Sequence, residues 1–203
     1  NGHIVHENSA GYPQPVIDNN RKILGFGVAP EQIGLGASFR YKDWNASLLV
    51  EGKVGGQIMS GSNAEMLGRG LHKMTVPAGG RHAGWTPEGV MEDGSAVSQS
   101  LTVAQQQNYW NRYNDAAEAG IYDADYMRLR NLSIGYNLPS SLLEGTSIQA
   151  ASISLIGKNL FFLSNSVDNI DPESAYNSNN SQGLEYWGMP VPRTVGVNVN
   201  LKF

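Results

Sequence analysis

The last ten residues, Thr194 to Phe203, alternate without a break. Val195, Val197, Val199, Leu201 and Phe203 take every second position, and Gly196, Asn198, Asn200 and Lys202 fill the others. That period of two belongs to a strand with one apolar and one polar face. Its length fits the roughly 9–11 tilted residues with which a barrel strand crosses a bilayer, although a soluble sheet also gives the alternation. The rest of the chain decides between the two.

The same pattern recurs upstream. Ile33, Leu35, Ala37, Phe39 and Tyr41 alternate with Gln32, Gly34, Gly36, Ser38, Arg40 and Lys42, and a tight turn at Lys42-Asp43 follows. Trp44, Ala46, Leu48, Val50 and Val54 then face one way and Asn45, Ser47, Glu51 and Lys53 the other, with Leu49 as an exception. These two runs predict a β-hairpin with strands at 32–42 and 45–56. A further strand is expected at 126–138, with Tyr126, Arg128, Arg130, Leu132, Ile134, Tyr136 and Leu138 on one face; Pro139 ends it, because proline cannot donate to a ladder. Another is expected at 148–163, where Ala151, Ile153 and Leu155 oppose Ser152, Ser154 and Lys158, and the last at 194–203. Residues 1–31 read as a loop with a short extended piece at Ile4-Val5. Two long loops, 57–125 and 164–193, separate the strands; the first holds a short helix within Ser100 to Glu118, where Val103, Tyr109, Trp110 and Tyr113 recur at nearly helical spacing.

Composition narrows the class. Only 16% of residues are charged, 24 are glycine and 40% are hydrophobic, which suits an all-β protein. The net charge of −4 comes without a Lys/Arg cluster, so nucleic acid is excluded as a partner. Cysteine is absent, which removes disulfides and thiolate metal sites. No apolar run approaches a membrane helix in length, but barrel strands are half polar and escape that criterion. Connections alternate short, long, short, long, the layout of an outer-membrane barrel with turns on the periplasmic side and loops outside. Tyr41, Trp44, Tyr136 and Phe203 then fall near one membrane interface, where aromatic girdles are expected. About five strands is odd in number and too few to close. The expectation is therefore the end of a longer chain, to which any signal peptide would belong.

From Tyr126 the order YMRLRNLSIGYNLPSSLL, SISLIGKNLFFLS, DNIDPES and MPVPRTVGVNVNLKF resembles the C-terminal end of the SusC/RagA-type TonB-dependent outer-membrane transporters of Bacteroidetes. The hairpin FRYKDWNASLLVEGKVGGQI resembles an earlier segment of the same family. The resemblance implies the C-terminal antiparallel strands of a large transmembrane β-barrel with long extracellular loops, in the bacterial outer membrane. It also implies active import of glycans or oligopeptides, energised by TonB through a plug that this sequence lacks, with a SusD-like surface lipoprotein as lid. Phe203 would serve as the C-terminal assembly signal.

Candidate sites follow from these placements. Ile33, Leu35, Phe39, Leu48, Val50, Ile134, Val195, Val197, Val199 and Leu201 are expected to face lipid. Arg40, Glu51, Lys53 and Lys158 fall on the polar face, toward a lumen in a barrel or toward solvent in a soluble sheet. Trp85, Tyr109, Trp110, Tyr113, Tyr186 and Trp187 lie in the long loops, where rigid rings either contact substrate or the lipoprotein lid, or pack the loops together. Asp168, Asp171 and Glu173 place three carboxylates within six residues, the oxygen-ligand chemistry of Ca²⁺. They lack the glycine and the position-twelve glutamate of an EF-hand, and the Asp-Pro-Glu step also reads as a turn. His3, His6, His72 and His82 show no metal-ligand spacing, and Glu92-Asp93 are merely adjacent. No nucleophile elbow, Walker loop or dinucleotide fingerprint occurs, so no enzyme is expected. The rival architecture is a soluble β-sandwich that binds carbohydrate, using the same alternation with its apolar face turned inward.

Overall fold

The structure, a computed structural model, describes residues 3–174 and 182–203. Residues 175–181, inside the second expected loop, lie outside the described residues. In chain order the elements are β1 (Val5–Ser9), β2 (Tyr12–Pro15), β3 (Glu31–Tyr41), β4 (Trp44–Val54), β5 (Gln57–Ser60), α1 (Gly61–Gly68), β6 (Val90–Met91), α2 (Val103–Asn114), β7 (Ile121–Asp123), β8 (Tyr126–Asn137), β9 (Ala150–Asn165), β10 (Leu184–Glu185) and β11 (Thr194–Lys202). The chain divides into two units. The first takes in Asn1–Gly25, Ile58–Tyr122 and Tyr176–Trp187; the second takes in Phe26–Gln57, Asp123–Ala175 and Gly188–Phe203. Among the described residues no helix is long and apolar enough to cross a membrane.

The second unit is built on one five-stranded antiparallel sheet in the order β11-β9-β8-β4-β3. It is open, with β3 and β11 as its edges. Its register aligns the apolar positions into rows. Val197 stands opposite Leu155, Leu155 opposite Ile134, Ile134 opposite Ala46 and Ala46 opposite Phe39. The next row toward the β3–β4 turn is Val199, Ile153, Tyr136, Trp44 and Tyr41, with the Trp44 and Tyr136 rings 4.8 Å apart. Rows of Asn198, Ser154, Gly135, Asn45 and Arg40 share the other face. The two-residue turn at Lys42-Asp43 is tight enough to place Lys42 at φ +51.

One expected face does not survive. The ladder between β4 and β8 shifts so that Leu49 pairs with Asn131 but Val50 pairs with Leu129, leaving Arg130 as an extra residue. This bulge reverses the alternation. Leu129, Leu132, Ile134 and Tyr136 therefore share the apolar face, while Arg128, Asn131 and Ser133 share the polar face with Glu51, Leu49 and Ser47. The run from Tyr126 to Leu138 does not lie on a single face; its polar start and apolar end belong to opposite sides. Leu49 sits on the polar side of β4 by that strand's own alternation, between Ser47 and Glu51 and opposite Asn131.

The first unit corrects two expected loops. Residues 1–31 contain the β1–β2 hairpin, turned at Ala10-Gly11 with φ of 58° and 83°, the left-handed pair that a two-residue hairpin turn requires. Residues 57–125 fold around α1 and α2, with β5 between β10 and β7, and with β6 parallel to β1. Helix α2 lies within the stretch where a helix was expected. Thr102 caps it, and Gln105 completes a capping box, which satisfies two otherwise unpaired helix N–H groups. Tyr12, Leu67, Leu101, Tyr109 and Trp110 form the unit's core, with Trp85 and Tyr113 packed against it.

Gly52 marks where β4 and β8 approach too closely for a side chain. A Cβ there would meet the Tyr126 carbonyl oxygen at 2.5 Å and Met127 Cγ at 3.0 Å, whereas one at Gly34 of the neighbouring strand would meet nothing within 4 Å. Gly52→Ala in the intact protein is expected to lose about 1–3 kcal/mol of stability, read from urea unfolding in detergent micelles, and Gly34→Ala to stay near wild type. Equal effects of the two changes would contradict this packing.

Candidate functional site

The bulge at Arg130 puts two guanidinium groups on the polar side of the sheet, where the turn at 171–174 meets them. Arg128 is only 3% exposed. It donates from Nη2 to Asp171 Oδ2 at 2.5 Å, its Nη1 lies 2.6 Å from Glu173 Oε2, and its guanidinium carbon stands 4.0 Å from the centre of the Phe162 ring. Arg130 donates from Nε to Glu51 Oε2 at 2.6 Å, from Nη2 to Glu173 Oε1 at 2.6 Å and from Nη1 to Asn159 Oδ1 at 2.9 Å. The Tyr126 hydroxyl donates to Glu173 Oε1 at 2.8 Å. Burial pushes the Glu173 carboxyl up, but the hydrogen bonds from Arg130 and Tyr126 outweigh it and hold the group below the usual glutamate range.

The cluster also holds the approach to β11. The Val191 N–H donates to Asp171 Oδ2 at 3.0 Å, the Ser174 hydroxyl donates to the Met189 carbonyl at 2.9 Å, and Asn159 Nδ2 donates to the Pro192 carbonyl at 3.3 Å. Its chemistry is charge pairing and positioning, since the lone pairs of Asp171 and Glu173 face guanidinium and backbone donors. The Ca²⁺ reading of Asp168, Asp171 and Glu173 is corrected on that ground. Among the described residues no three His, Cys, Asp or Glu side chains converge as a metal site. Arginine partners more than thirty residues away in the chain cannot be read from carboxylate spacing. Of the other polar-face charges, Arg40 lies opposite Asn45, Lys53 opposite Gln32 and Tyr126, and Lys158 opposite Asn131 and Thr194.

The opposite face of the sheet is apolar and open. Val195, Val197, Val199, Leu201, Leu35, Phe39, Ile33 and Ile134 are all exposed, Val197 at 66%, while Leu48 and Val50 on the inner strand β4 are half-buried. Phe203 is exposed beside them.

The loop aromatics separate into two groups. Tyr109 and Trp110 are buried, at 2% and 7% exposure. Trp85 stacks on Trp110 with centroids 5.1 Å apart and meets Tyr109 edge-on at 5.0 Å, and Tyr113 lies 6.3 Å from Tyr109 and 5.5 Å from Trp110. These four rings pack together in the unit's core, so Tyr109 and Trp110 offer no ring face to a ligand. Tyr186 and Trp187 are 61% and 62% exposed and meet edge-on at 6.4 Å. They are held from below. Glu185, 1% exposed, accepts hydrogen bonds from the Ser60 and Ser62 hydroxyls at 2.7 and 2.6 Å, the Trp187 N–H donates to Ser62 Oγ at 3.1 Å, and the Tyr186 ring lies where a Cβ on Gly61 would sit. Trp187 takes φ +59 in this arrangement.

His6, to which spacing assigned nothing, is fully buried against Tyr109. Its Nε2 accepts from the Tyr109 hydroxyl at 3.0 Å and its Nδ1 lies 3.3 Å from the Val90 carbonyl. Burial lowers its pKa below 6.5, against smaller upward effects from the Val90 and Ile4 backbone. A residue four places before a hairpin's turn gave no signal of this partner about a hundred positions away.

Two outcomes follow. Arg128→Ala strands two carboxylates in a buried setting and is expected to cost about 3–5 kcal/mol, measured by urea unfolding in micelles; a loss no larger than that of an exposed arginine would contradict the cluster's burial. For His6 the unfolded state binds the extra proton first, so its contribution is complete above about pH 6.5 and declines as pH falls toward the lowered folded value. Hydrogen-exchange protection of α2 should drop over that window, and the His6→Phe variant should lose the dependence; an identical pH profile in that variant would contradict the assignment.

Comparison with known proteins bears on what this arrangement belongs to. The chain is 30% identical over 190 residues to TonB-dependent receptor P3 of Formosa agariphila, a match that takes in 91% of this chain and 17% of that protein. No family model matches. The fold is similar to that in solved structures of the RagAB peptide importer. The "open-open" state gives a TM-score of 0.65 at 18% identity, covering 99% of this chain and 22% of that one. The "closed-closed" state gives 0.62 at 17% identity, covering 95% and 20%. The chain thus spans about a fifth or less of the length of the proteins it matches, and over nearly all of its own length it is similar to a TonB-dependent receptor.

Proposed function

We propose that this chain is part of an outer-membrane, TonB-dependent active importer of SusC/RagA type, whose sheet is an arc of a transmembrane β-barrel wall. The observation that carries the reading is the exposed apolar face. Its rows run across all five strands, and a water-soluble sheet would have to cover it. A β-sandwich would bury Val197, Leu35 and Phe39, which stand 64–66% exposed. In the barrel reading Ile33, Leu35, Phe39, Leu48, Val50, Ile134, Val195, Val197, Val199 and Leu201 meet lipid, the row of Tyr41, Trp44 and Tyr136 marks one interface, and the Asn/Ser rows line the lumen. Phe203 acts in assembly. Cargo is a glycan or an oligopeptide, a SusD-like lipoprotein is the lid, and TonB acts through a plug carried elsewhere. Tyr186 and Trp187 are the exposed loop aromatics, open to cargo or lid.

Growth on, or uptake of, an oligosaccharide or oligopeptide by cells carrying the intact protein is expected to stop when TonB is removed; uptake that is indifferent to TonB would contradict the importer. For the wall, Val197→Arg is expected to lose about 2–4 kcal/mol in lipid-reconstituted unfolding, and Asn198→Arg far less. Equal stability of the two variants would sink the lipid-facing assignment.

A further inference from the structure

In the first unit a cleft of about 580 Å³ opens between the start of β1, the chain leaving β2 and the turn after α2. That volume is in the range of ligand sites. Its lining is aliphatic at Val5, Val16, Ile17 and Ala119, carries the rings of Tyr113 and His3, and has the exposed Asp18, Lys22 and Glu118 at the mouth.

The mouth has a definite charge balance. Lys22 Nζ lies 2.6 Å from Asp18 Oδ2, and Glu118 adds to Asp18 in holding that ammonium charged. Glu118 also acts on the Tyr113 hydroxyl, whose pKa burial raises first and the glutamate second. Two carboxylates around one ammonium leave one negative charge over, which suits an incoming cation. The walls exclude another chemistry. Tyr113 is stacked on Tyr109 and meets Trp110 edge-on, so it is no open platform, and aliphatic walls would strip water from the hydroxyls of a sugar ring without replacing their hydrogen bonds. An aliphatic side chain loses nothing there.

We propose that this cleft binds the amino end of an oligopeptide, with an aliphatic side chain against Val5 and Val16 and the ammonium group between Asp18 and Glu118. The proposal narrows the cargo of the importer and rests on that reading for delivery alone.

The test is calorimetry on the intact protein in detergent with three probes: the tetrapeptide Val-Ala-Val-Ala, its N-acetylated form, and maltotetraose. The free amine should bind, acetylation should weaken binding by about tenfold, and maltotetraose should neither bind nor compete. Glu118→Lys should invert the preference toward the acetylated peptide. Asp18→Asn, at an exposed position, should weaken the free peptide alone, which covers the case of a Glu118→Lys protein that does not fold. Equal affinity for the two peptides, competition by maltotetraose, no binding of either peptide, or indifference to both substitutions would overturn the proposal. Uptake separates this from the import reading. TonB-dependent uptake without peptide binding overturns the cleft alone, and peptide binding without TonB-dependent uptake supports the cleft while contradicting the importer.

Discussion

Keeping one face apolar through five strands is the constraint on which the second unit depends, and the bulge at Arg130 is where β8 meets it. Without the extra residue, alternation would carry Arg128 onto the side of Leu132 and Ile134. With it, both arginines fall on the polar side and Leu129 joins the apolar rows. A charge on the apolar face would cost kilocalories in lipid. On the polar face the same charge finds Asp171, Glu173 and Glu51.

The buried ion pairs then fix what precedes β11. Asp171 receives Arg128 and the Val191 N–H together, and Asn159, at φ +51 beside the irregularity in β9, receives Arg130 and donates to Pro192. Such a cluster contributes geometry more than net stability, because desolvating five charged groups offsets much of their attraction. Its consequence is an edge strand delivered in one register, Val197 against Leu155, with its apolar residues on the face shared by Leu155 and Ile134.

Much of the sheet was legible because a strand half in an apolar setting writes its period into every second residue. The five strands end within two residues of the bounds expected from alternation. The face of β8 was misread because a bulge leaves no mark in composition; the only trace was a run polar at Arg128 and Arg130 and apolar from Leu132. The first unit was least legible. Its core joins Tyr12, Leu67, Leu101 and Tyr109, residues too far apart for a local period, and its hairpin turn uses Ala10 rather than a residue that announces a left-handed backbone. The exposed aromatic pair was visible in sequence, but the buried Glu185 that holds it was not, since its Ser60 and Ser62 partners lie more than 120 residues earlier.

Which side of the sheet meets lipid is the central claim, and nitroxide accessibility in the membrane-embedded intact protein tests it most directly. This chain has no cysteine of its own, so labels can be placed at Val197 and at Asn198 in turn. The barrel wall predicts a Val197 label that collides with dissolved oxygen and is shielded from a water-soluble nickel chelate, and an Asn198 label with the reverse behaviour. Labels equally open to the chelate at both positions would contradict a lipid-facing sheet.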